Sequence, residues 1–303
     1  MNSLHTVHYE RCDKYLDVSC AHFLFYFMFD IDKCSVRLAR REDREDLIEI
    51  SKRIWDGHDY LPQIVDRWIA EPWFFVCEFE AKVIACLKLS EMPDNVIWFE
   101  GLRVHAKYQG KGVAKLMNRE LLKFASGLKS QNPALSFEFC TYYKNVESLA
   151  LTSKLGSVKV DSFYNLERRG VRKVLVPEII TDYGREIFAG YPDYLPLNWH
   201  AVHSSEASLD YIRKHATVFR TPNSIYLLGR VGEQCITFLE PPQAEIGEDL
   251  RYMQYFFGSG KRISATISRH WQSYLPLLQE NKFHFWDDNQ DQSLNMLVFK
   301  LPS

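Results

Sequence analysis

The sequence predicts an α/β (α+β) protein, and three features of the 303-residue chain carry that reading. Apolar stretches of strand character alternate with amphipathic helices through the first half of the chain. A strand-like run at 96–104 enters a glycine-punctuated turn that opens directly onto a helix. From about Val171 a sparser version of the same alternation follows. The length is long for one compact domain and comfortable for two.

The elements follow in order. Residues 35–39 read as a strand, and Leu47, Ile48, Ile50, Ile54 and Trp55 fall at helical spacing after a charged start. The segment 55–62, Trp-Asp-Gly-His-Asp-Tyr-Leu-Pro, breaks that helix. A second helix over 63–70 ends at Glu71-Pro72, because the residue before proline resists the helical region. Residues 74–78 and 83–89 read as a hairpin and 96–104 as a third strand. The helix after the turn places Val113, Leu116, Met117, Leu121 and Phe124 on one stripe, with Lys115, Arg119 and Lys123 opposite. A strand at 135–142, a helix at 146–155 closed by Gly156 and a strand at 158–166 complete this half. In the second half, 225–228 and 235–239 suggest a strand pair, 263–267 a strand, 271–279 a helix and 294–300 a final strand. Gly258-Ser259-Gly260-Lys261 leads into a strand and reads as a turn.

Composition narrows the function classes. Hydrophobic residues make up 46%, charged residues 25%, and the formal net charge is -2. A near-neutral chain without a basic tract lacks the electrostatic footprint that nucleic acid requires. Seven scattered cysteines form no C-x-x-C pair and read as reduced thiols, which points to a cytoplasmic protein without a metal centre. The apolar run at 22–29 is too short to span a bilayer, and its acidic and histidine-bearing flank suits a signal peptide poorly. It is expected to dock on the body as a strand or helix.

The turn Gln109-Gly110-Lys111-Gly112-Val113-Ala114 carries the chemistry. Two glycines let the backbone curl so that several N–H groups converge at a helix N-terminus, where the positive end of the dipole favours a pyrophosphate. Lys111 and Lys115 add positive charge. A dinucleotide fingerprint needs a third small residue where Lys115 stands, and a Walker loop needs Gly-Lys-Ser/Thr where Gly112-Val113-Ala114 stands. The plainest alternative is a glycine turn before a surface helix.

What fits is the Gln/Arg-x-x-Gly-x-Gly/Ala loop of the GNAT acetyltransferases, which the segment resembles, as Leu102-Arg103-Val104 resembles that family's fourth strand. The resemblance implies a GNAT fold with a mixed, mostly antiparallel sheet flanked by helices. It divides the chain into an N-terminal extension of unknown role (1–34), a catalytic GNAT domain (35–168) and a degenerate GNAT-like domain (169–303). The segment 54–62, joined to Glu100-Gly101-Leu102-Arg103-Val104 and to 109–114, looks like the branch that contains histidine N-acetyltransferase. This implies an acetyl-CoA-dependent N-acetyltransferase acting on a small amine or amino acid, with no metal and no membrane or nucleic-acid partner. A non-catalytic acyl-CoA-binding module and a peptide N-terminal acetyltransferase are the alternatives. The acceptor's identity stays open, as does a homodimer.

Roles follow on the same footing. The main chain at Leu102, Arg103 and Val104 would flank the pantetheine, and a bulge there would aim an N–H at the thioester oxygen. Gln109, Gly110, Lys111, Gly112, Val113 and Ala114 would hold the pyrophosphate, and Asn145 with Ser148 matches a family spacing that suggests pantetheine contacts. Glu100 shares a strand face with Leu102 and is the candidate general base; an ammonium anchor and a structural ion pair are its other possible roles. Where many members carry a tyrosine as acid for the thiolate, this chain has Thr152, a poor proton donor, so either Tyr142 or Tyr143 substitutes or the thiolate leaves and is protonated by solvent. Asp59 and Tyr60, on a loop that overhangs the acceptor cleft in this fold, are candidates for acceptor recognition. The histidines, taken singly, read as core or surface residues.

Overall fold

The computed structural model describes residues 29–57, 59–230, 234–287 and 289–302. The expected docking of the run at 22–29 lies outside these residues apart from Phe29, whose ring packs on Phe79 and Tyr108. Among the described residues no helix is long and apolar enough to cross a membrane, and the described cysteines are free thiols.

The first half runs β1 (Ser35–Leu38), α1 (Arg44–Ser51), α2 (Leu61–Ala70), β2 (Phe74–Phe79), β3 (Lys82–Met92), β4 (Val96–Val104), α3 (Val113–Gln131), β5 (Ser136–Tyr142), α4 (Val146–Lys154) and β6 (Val158–Arg168). Helix α1 stops at Ser51, and Ile54 and Trp55 belong to a separate 3-10 turn, Ile54–Gly57, so the first helix is shorter than its apolar spacing predicts. Pro62 stands in the first turn of α2, where its missing N–H costs no intrahelical bond.

The second half runs β7 (Glu178–Ile180), β8 (Tyr194–Leu197), β9 (His200–His203), α5 (Glu206–His215), β10 (Ala216–Arg220), β11 (Ile225–Gly229), β12 (Cys235–Phe238), α6 (Ile246–Phe257), β13 (Ile263–Ser268), α7 (Leu275–Glu280) and β14 (Met296–Lys300). Of the expected helix over 271–279, only the end is α-helical. A 3-10 segment, Arg269–Tyr274, precedes α7, and Trp271 sits in it with non-helical backbone angles.

The expected mixed, mostly antiparallel sheet is present, and it is continuous across both halves. Its order is β1-β2-β3-β4-β5-β14-β6-β13-β12-β11-β10-β7. The pairs β4–β5 and β12–β13 are parallel. The other pairs in this sheet are antiparallel.

The order has an internal symmetry. Strand β14 from the end of the chain lies against β5, and β6 from the first half lies against β13, so each half is closed by a strand from the other. Cutting the chain after Arg168 therefore separates the halves in sequence and not in space.

The sheet faces differ in what covers them. Ile97 and Phe99 of β4 pack with Met117 and Leu121 of α3. On the other face Val76 and Cys86 pack with Leu47, Ile50, Val65 and Trp68 of α1 and α2. Further along that second face, Val96 and Trp98 join the large core of the second half, which includes Leu195, Leu197 and Val202 of the β8–β9 hairpin. The hairpin thus reaches over the first half's sheet.

A chain ending at Ser293 lacks β14 and leaves both β5 and β6 with an unpaired edge. It is expected to lose cooperative folding of the whole molecule, because Met296 and Val298 are fully buried and each contributes about 1.5–3 kcal/mol of apolar burial. In the intact chain, unfolding followed by tryptophan fluorescence and by far-UV circular dichroism should coincide; two separate transitions would show that the halves fold independently.

Candidate active site

The site is built where β4 and β5 part. Their parallel pairing runs from Val96 opposite Ser136 to Phe99 opposite Phe139. Beyond that register the 100–104 segment of β4 remains paired to β3 only. On the β3 side, Lys88 faces Glu100 and Cys86 faces Arg103, so Leu87 opposes both Gly101 and Leu102, which is a bulge. The bulge depends on Gly101, whose φ is +71° and whose missing side chain is occupied by neighbours: a Cβ there would lie 2.5 Å from the Trp68 ring.

Strand β4 delivers the chain to the glycine turn. A 3-10 turn, Ala106–Tyr108, follows the strand, and the Gln109 amide donates to the Val104 carbonyl at 3.0 Å, tying the turn to the strand end. Gly110 and Gly112 have φ of +72° and +87°. Gly112 is the N-cap of α3 with no side chain capping the helix start. A Cβ at either glycine would meet nothing within 4 Å. The first N–H groups of α3 have no intrahelical acceptor and face this open concavity, so the residues present fit a pyrophosphate. Lys111 lies beside the turn, its ammonium 5.5 Å and 5.6 Å from the Phe29 and Tyr108 rings.

The corresponding place in the second half is different in kind. The link from β12 to α6 contains Pro241-Pro242 and no glycine, and Glu245, Glu248 and Asp249 stand at the helix start. Asp249 is fully buried and accepts from Asn223 and Tyr226. Carboxylates already satisfy that helix end, which leaves it unsuited to a phosphate.

Glu100 sits just before the bulge, almost fully buried. One carboxylate oxygen accepts from Ser90 Oγ at 2.6 Å and the other lies 2.9 Å from His200 Nε2. Burial alone raises a carboxyl pKa, but here His200, with help from Ser90 and Lys88, more than offsets it and holds Glu100 below the ordinary range. His200 belongs to β9 of the second half. It is 6% exposed, stacks on Trp98 at 5.8 Å, and its Nδ1 is buried with no hydrogen-bond partner. The sequence gives no local signal for it, since a lone histidine a hundred residues from Glu100 becomes informative only when the hairpin folds over β4. Lys88, opposite Glu100, is buried, donates to the carbonyls of Pro72 and Leu89, and has its pKa lowered by burial.

A second carboxylate and imidazole pair lies one strand over. Glu138 of β5 is fully buried and His203 of β9 stands 3.2 Å from both its oxygens. The two pairs fasten the hairpin to the first half's sheet.

Asp59 corrects an expectation. Its carboxylate is buried and both oxygens accept from Arg103 at 2.6 Å, while one also caps the Leu61 N–H. Three of its acceptor positions are thus used within the protein, and Asp59 holds the loop to β4. The Arg103 side chain is likewise turned away from the gap, which leaves its main chain to flank it. Tyr60 places its ring 4.7 Å from the Arg103 guanidinium, and burial raises its pKa.

The two candidate acids, Tyr142 and Thr152, both have partners within the protein. Tyr142 donates its hydroxyl to Asp287 of the second half, as Tyr143 does at 3.1 Å. Burial, followed by the Asp287 contact, raises the Tyr142 pKa well above its ordinary value, so it is a weaker acid than a free tyrosine. Thr152 is buried and its hydroxyl bonds the Ser148 carbonyl at 2.7 Å, one turn back. Both hydroxyls are engaged within the protein. Asn145 Oδ1 accepts from the Ser148 N–H at 3.0 Å and so caps α4 at the mouth of the gap. Among the described residues no group of three or more His, Cys, Asp or Glu side chains is placed to hold a metal.

Comparison with known proteins follows the same division. Residues 43–156 match the acetyltransferase (GNAT) family model, a segment that contains the bulge, the glycine turn and the start of α4. A protein from Thermoplasma acidophilum provisionally described as an acetyltransferase superposes with a TM-score of 0.61 at 14% identity, covering 89% of this chain and 100% of its own. A GCN5-related N-acetyltransferase from Sphaerobacter thermophilus gives 0.60 at 10% identity, covering 90% and 97%. No curated protein matches the sequence. The fold is therefore the GNAT fold, and it extends over both halves in these neighbours. The family match lies wholly in the first half.

Two outcomes test this geometry. Gly101→Ala is expected to destabilise the protein by about 3 kcal/mol or more, since it combines a left-handed backbone with overpacking against Trp68; a melting temperature within a degree or two of the native one would show that the bulge does not depend on glycine. The His203 pKa is raised, chiefly by its hydrogen bond to Glu138. Its contribution is therefore full below the unfolded value of about 6.5 and is lost as pH rises through the folded value. Between native protein and His203→Gln, the stability gap measured by urea unfolding should narrow as pH is raised through that window.

Proposed function

We propose that this chain is an acetyl-CoA-dependent N-acetyltransferase that transfers the acetyl group directly to the amino group of a small amine or amino acid in a ternary complex. The observation that carries this reading is the Glu100–His200 pair beside the unpaired edge of β4, at the far end of a path that begins at the glycine turn. Acetyl-CoA, when bound, supplies an activated thioester. The turn at 109–114 anchors its phosphate end through backbone N–H groups. The 101–104 edge of β4 holds the pantetheine as a neighbouring strand would, and the bulge aims a main-chain N–H at the carbonyl oxygen on which charge develops. Fixing the two reactants in one cleft accounts for much of the rate through orientation.

The acceptor is small in this reading because His200 of β9 and Tyr211 of α5 lie close to Glu100. An α-amine with a pKa of about 8 is mostly protonated at neutral pH; it loses one proton to water before attack, and the second, released as the C–N bond forms, needs a route that the buried pair provides. With Tyr142 and Thr152 both engaged, the thiolate takes its proton from that route or from water. The likeness to the histidine N-acetyltransferase branch supports a histidine-like acceptor, but much of it has a structural cause. Asp59 of the first shared segment and Arg103 of the second form one buried ion pair, so the segments go together for folding whatever the acceptor.

The test is release of free thiol from acetyl-CoA in the presence of a panel of amino acids and polyamines. At least one acceptor should accelerate it, calorimetry should find one CoA site per chain, and Glu100→Gln should lower kcat by about 10²-fold or more with CoA affinity unchanged. CoA binding without acceleration by any acceptor would favour a non-catalytic acyl-CoA module, and failure to bind CoA would overturn both.

A further inference from the structure

We propose that His200, contributed by the second half, is the catalytic base that receives the proton of the attacking amine, and that Glu100 is the positioning residue that orients it. The proposal rests on the transferase reading above and assigns its proton route to a particular atom.

The two oxygens of Glu100 are already engaged, one by the Ser90 hydroxyl and one by His200 Nε2. An ionised carboxylate can only accept, so Nε2 carries the hydrogen and the neutral imidazole has its lone pair on Nδ1. That Nδ1 is enclosed and unpartnered, in a side chain more than nine-tenths buried and clamped against Trp98. A buried acceptor without a donor costs about 1–3 kcal/mol, and such a cost is tolerated where a ligand or water supplies the donor. The donor supplied here is the N–H of an amine. A carboxylate held below its ordinary range is a weak base for an amine proton.

The charge environment is drawn from every wall. Lys88 of β3 faces Glu100 and favours its ionised form, and Tyr60 from the start of α2 and Tyr211 from α5 have pKa values raised chiefly by burial, with a lesser part from Glu100. Burial keeps His215 of α5 below its ordinary value, with Lys214 and Arg67 acting in the same direction. The site therefore gathers β3, β4, α2, β9 and α5 around one imidazole.

The step balances without a further reactant. The ammonium form of the acceptor first releases one proton to water. The amine lone pair forms the C–N bond as the thioester π bond opens onto oxygen, and the surplus proton on nitrogen passes to His200 Nδ1. The carbonyl re-forms, the C–S bond breaks with its electron pair on sulfur, and sulfur takes the proton from the imidazolium. Amine and thioester become amide and thiol, and the histidine returns to its starting state.

The experiment has two arms. In the first, His200→Asn and the native protein are compared with acetyl-CoA and the amino-acid panel; kcat should fall by about 10²-fold or more, CoA affinity should hold, and the kcat/KM pH profile should change to one in which the only acid limb is that set by the acceptor's own ammonium. Added imidazole should restore part of the rate. An unchanged profile and kcat would overturn the proposal. The second arm needs no turnover: nitrogen NMR of histidine-labelled native protein should show His200 with hydrogen on Nε2 and none on Nδ1, and Glu100→Gln should change that tautomer population. Hydrogen on Nδ1 in the native protein would overturn the proposal even if His200→Asn failed to fold. Absence of acceptor-dependent thiol release in the native protein would instead sink the transferase reading, which separates the two failures.

Discussion

The exchange of closing strands between the two halves is the constraint from which the rest of the structure follows. Strand β14 must travel back to β5, and β6 must reach forward to β13, so neither half completes its sheet alone. This fixes the halves in one continuous sheet and presses the β8–β9 hairpin against the face that carries Trp98, Glu100 and Glu138. A hairpin joined by a flexible linker would not hold an imidazole 2.9 Å from a carboxylate on another half. Precision at the site is therefore a property of the sheet topology, in keeping with the principle that catalytic groups need a rigid scaffold.

Within that frame the opening between β4 and β5 solves a specific problem. A strand interior satisfies its backbone on both sides, and an extended ligand needs one side free. The bulge at Gly101–Leu102 follows the last paired residue, Phe99, so the strand bends where its partner departs. Gly101 is forced twice over, by its positive φ and by the Trp68 ring lying where a side chain would be. Gly110 and Gly112 are different: the space beside them is open, and they are needed for backbone curvature and close approach. Three glycines within twelve residues thus answer three separate geometric demands.

The first half was legible in the sequence because its signals are local. The alternation along β2 to β4, the apolar stripe of α3 and the positive-φ turn of Gly110 and Gly112 are each set by residues a few positions apart. The hairpin β8–β9, α5 and α6 were missed. In β8–β9, Tyr194-Leu195-Pro196-Leu197 is apolar at every position and buried on both sides, so no alternation marks it. The site divides the same way. The glycine turn and Glu100 are visible as a short motif, whereas the engagement of Asp59 by Arg103, of Tyr142 by Asp287 and of Glu100 by His200 each needs a contact across 44, 145 and 100 residues. Spacing rules do not reach that far.

The two halves share a strand order yet differ at the helix that follows the central strand, and this difference assigns their roles. At α3 the helix start is uncapped and flanked by Lys111 and Lys115, so its partial positive charge is left for a ligand. At α6, Glu248 and Asp249 supply the negative charge from within, and Asp249 is locked by Tyr226 and Asn223. An anion brought to α6 would displace no water-exposed dipole and would meet two carboxylates. Freed from holding a cofactor, the second half puts its side chains elsewhere: His200 and His203 over β4 and β5, and Asp287 against the tyrosines at the end of β5. In the proposed reading one half keeps the donor end and the other furnishes the groups that close on the acceptor end, so the centre proposed here belongs to the pair.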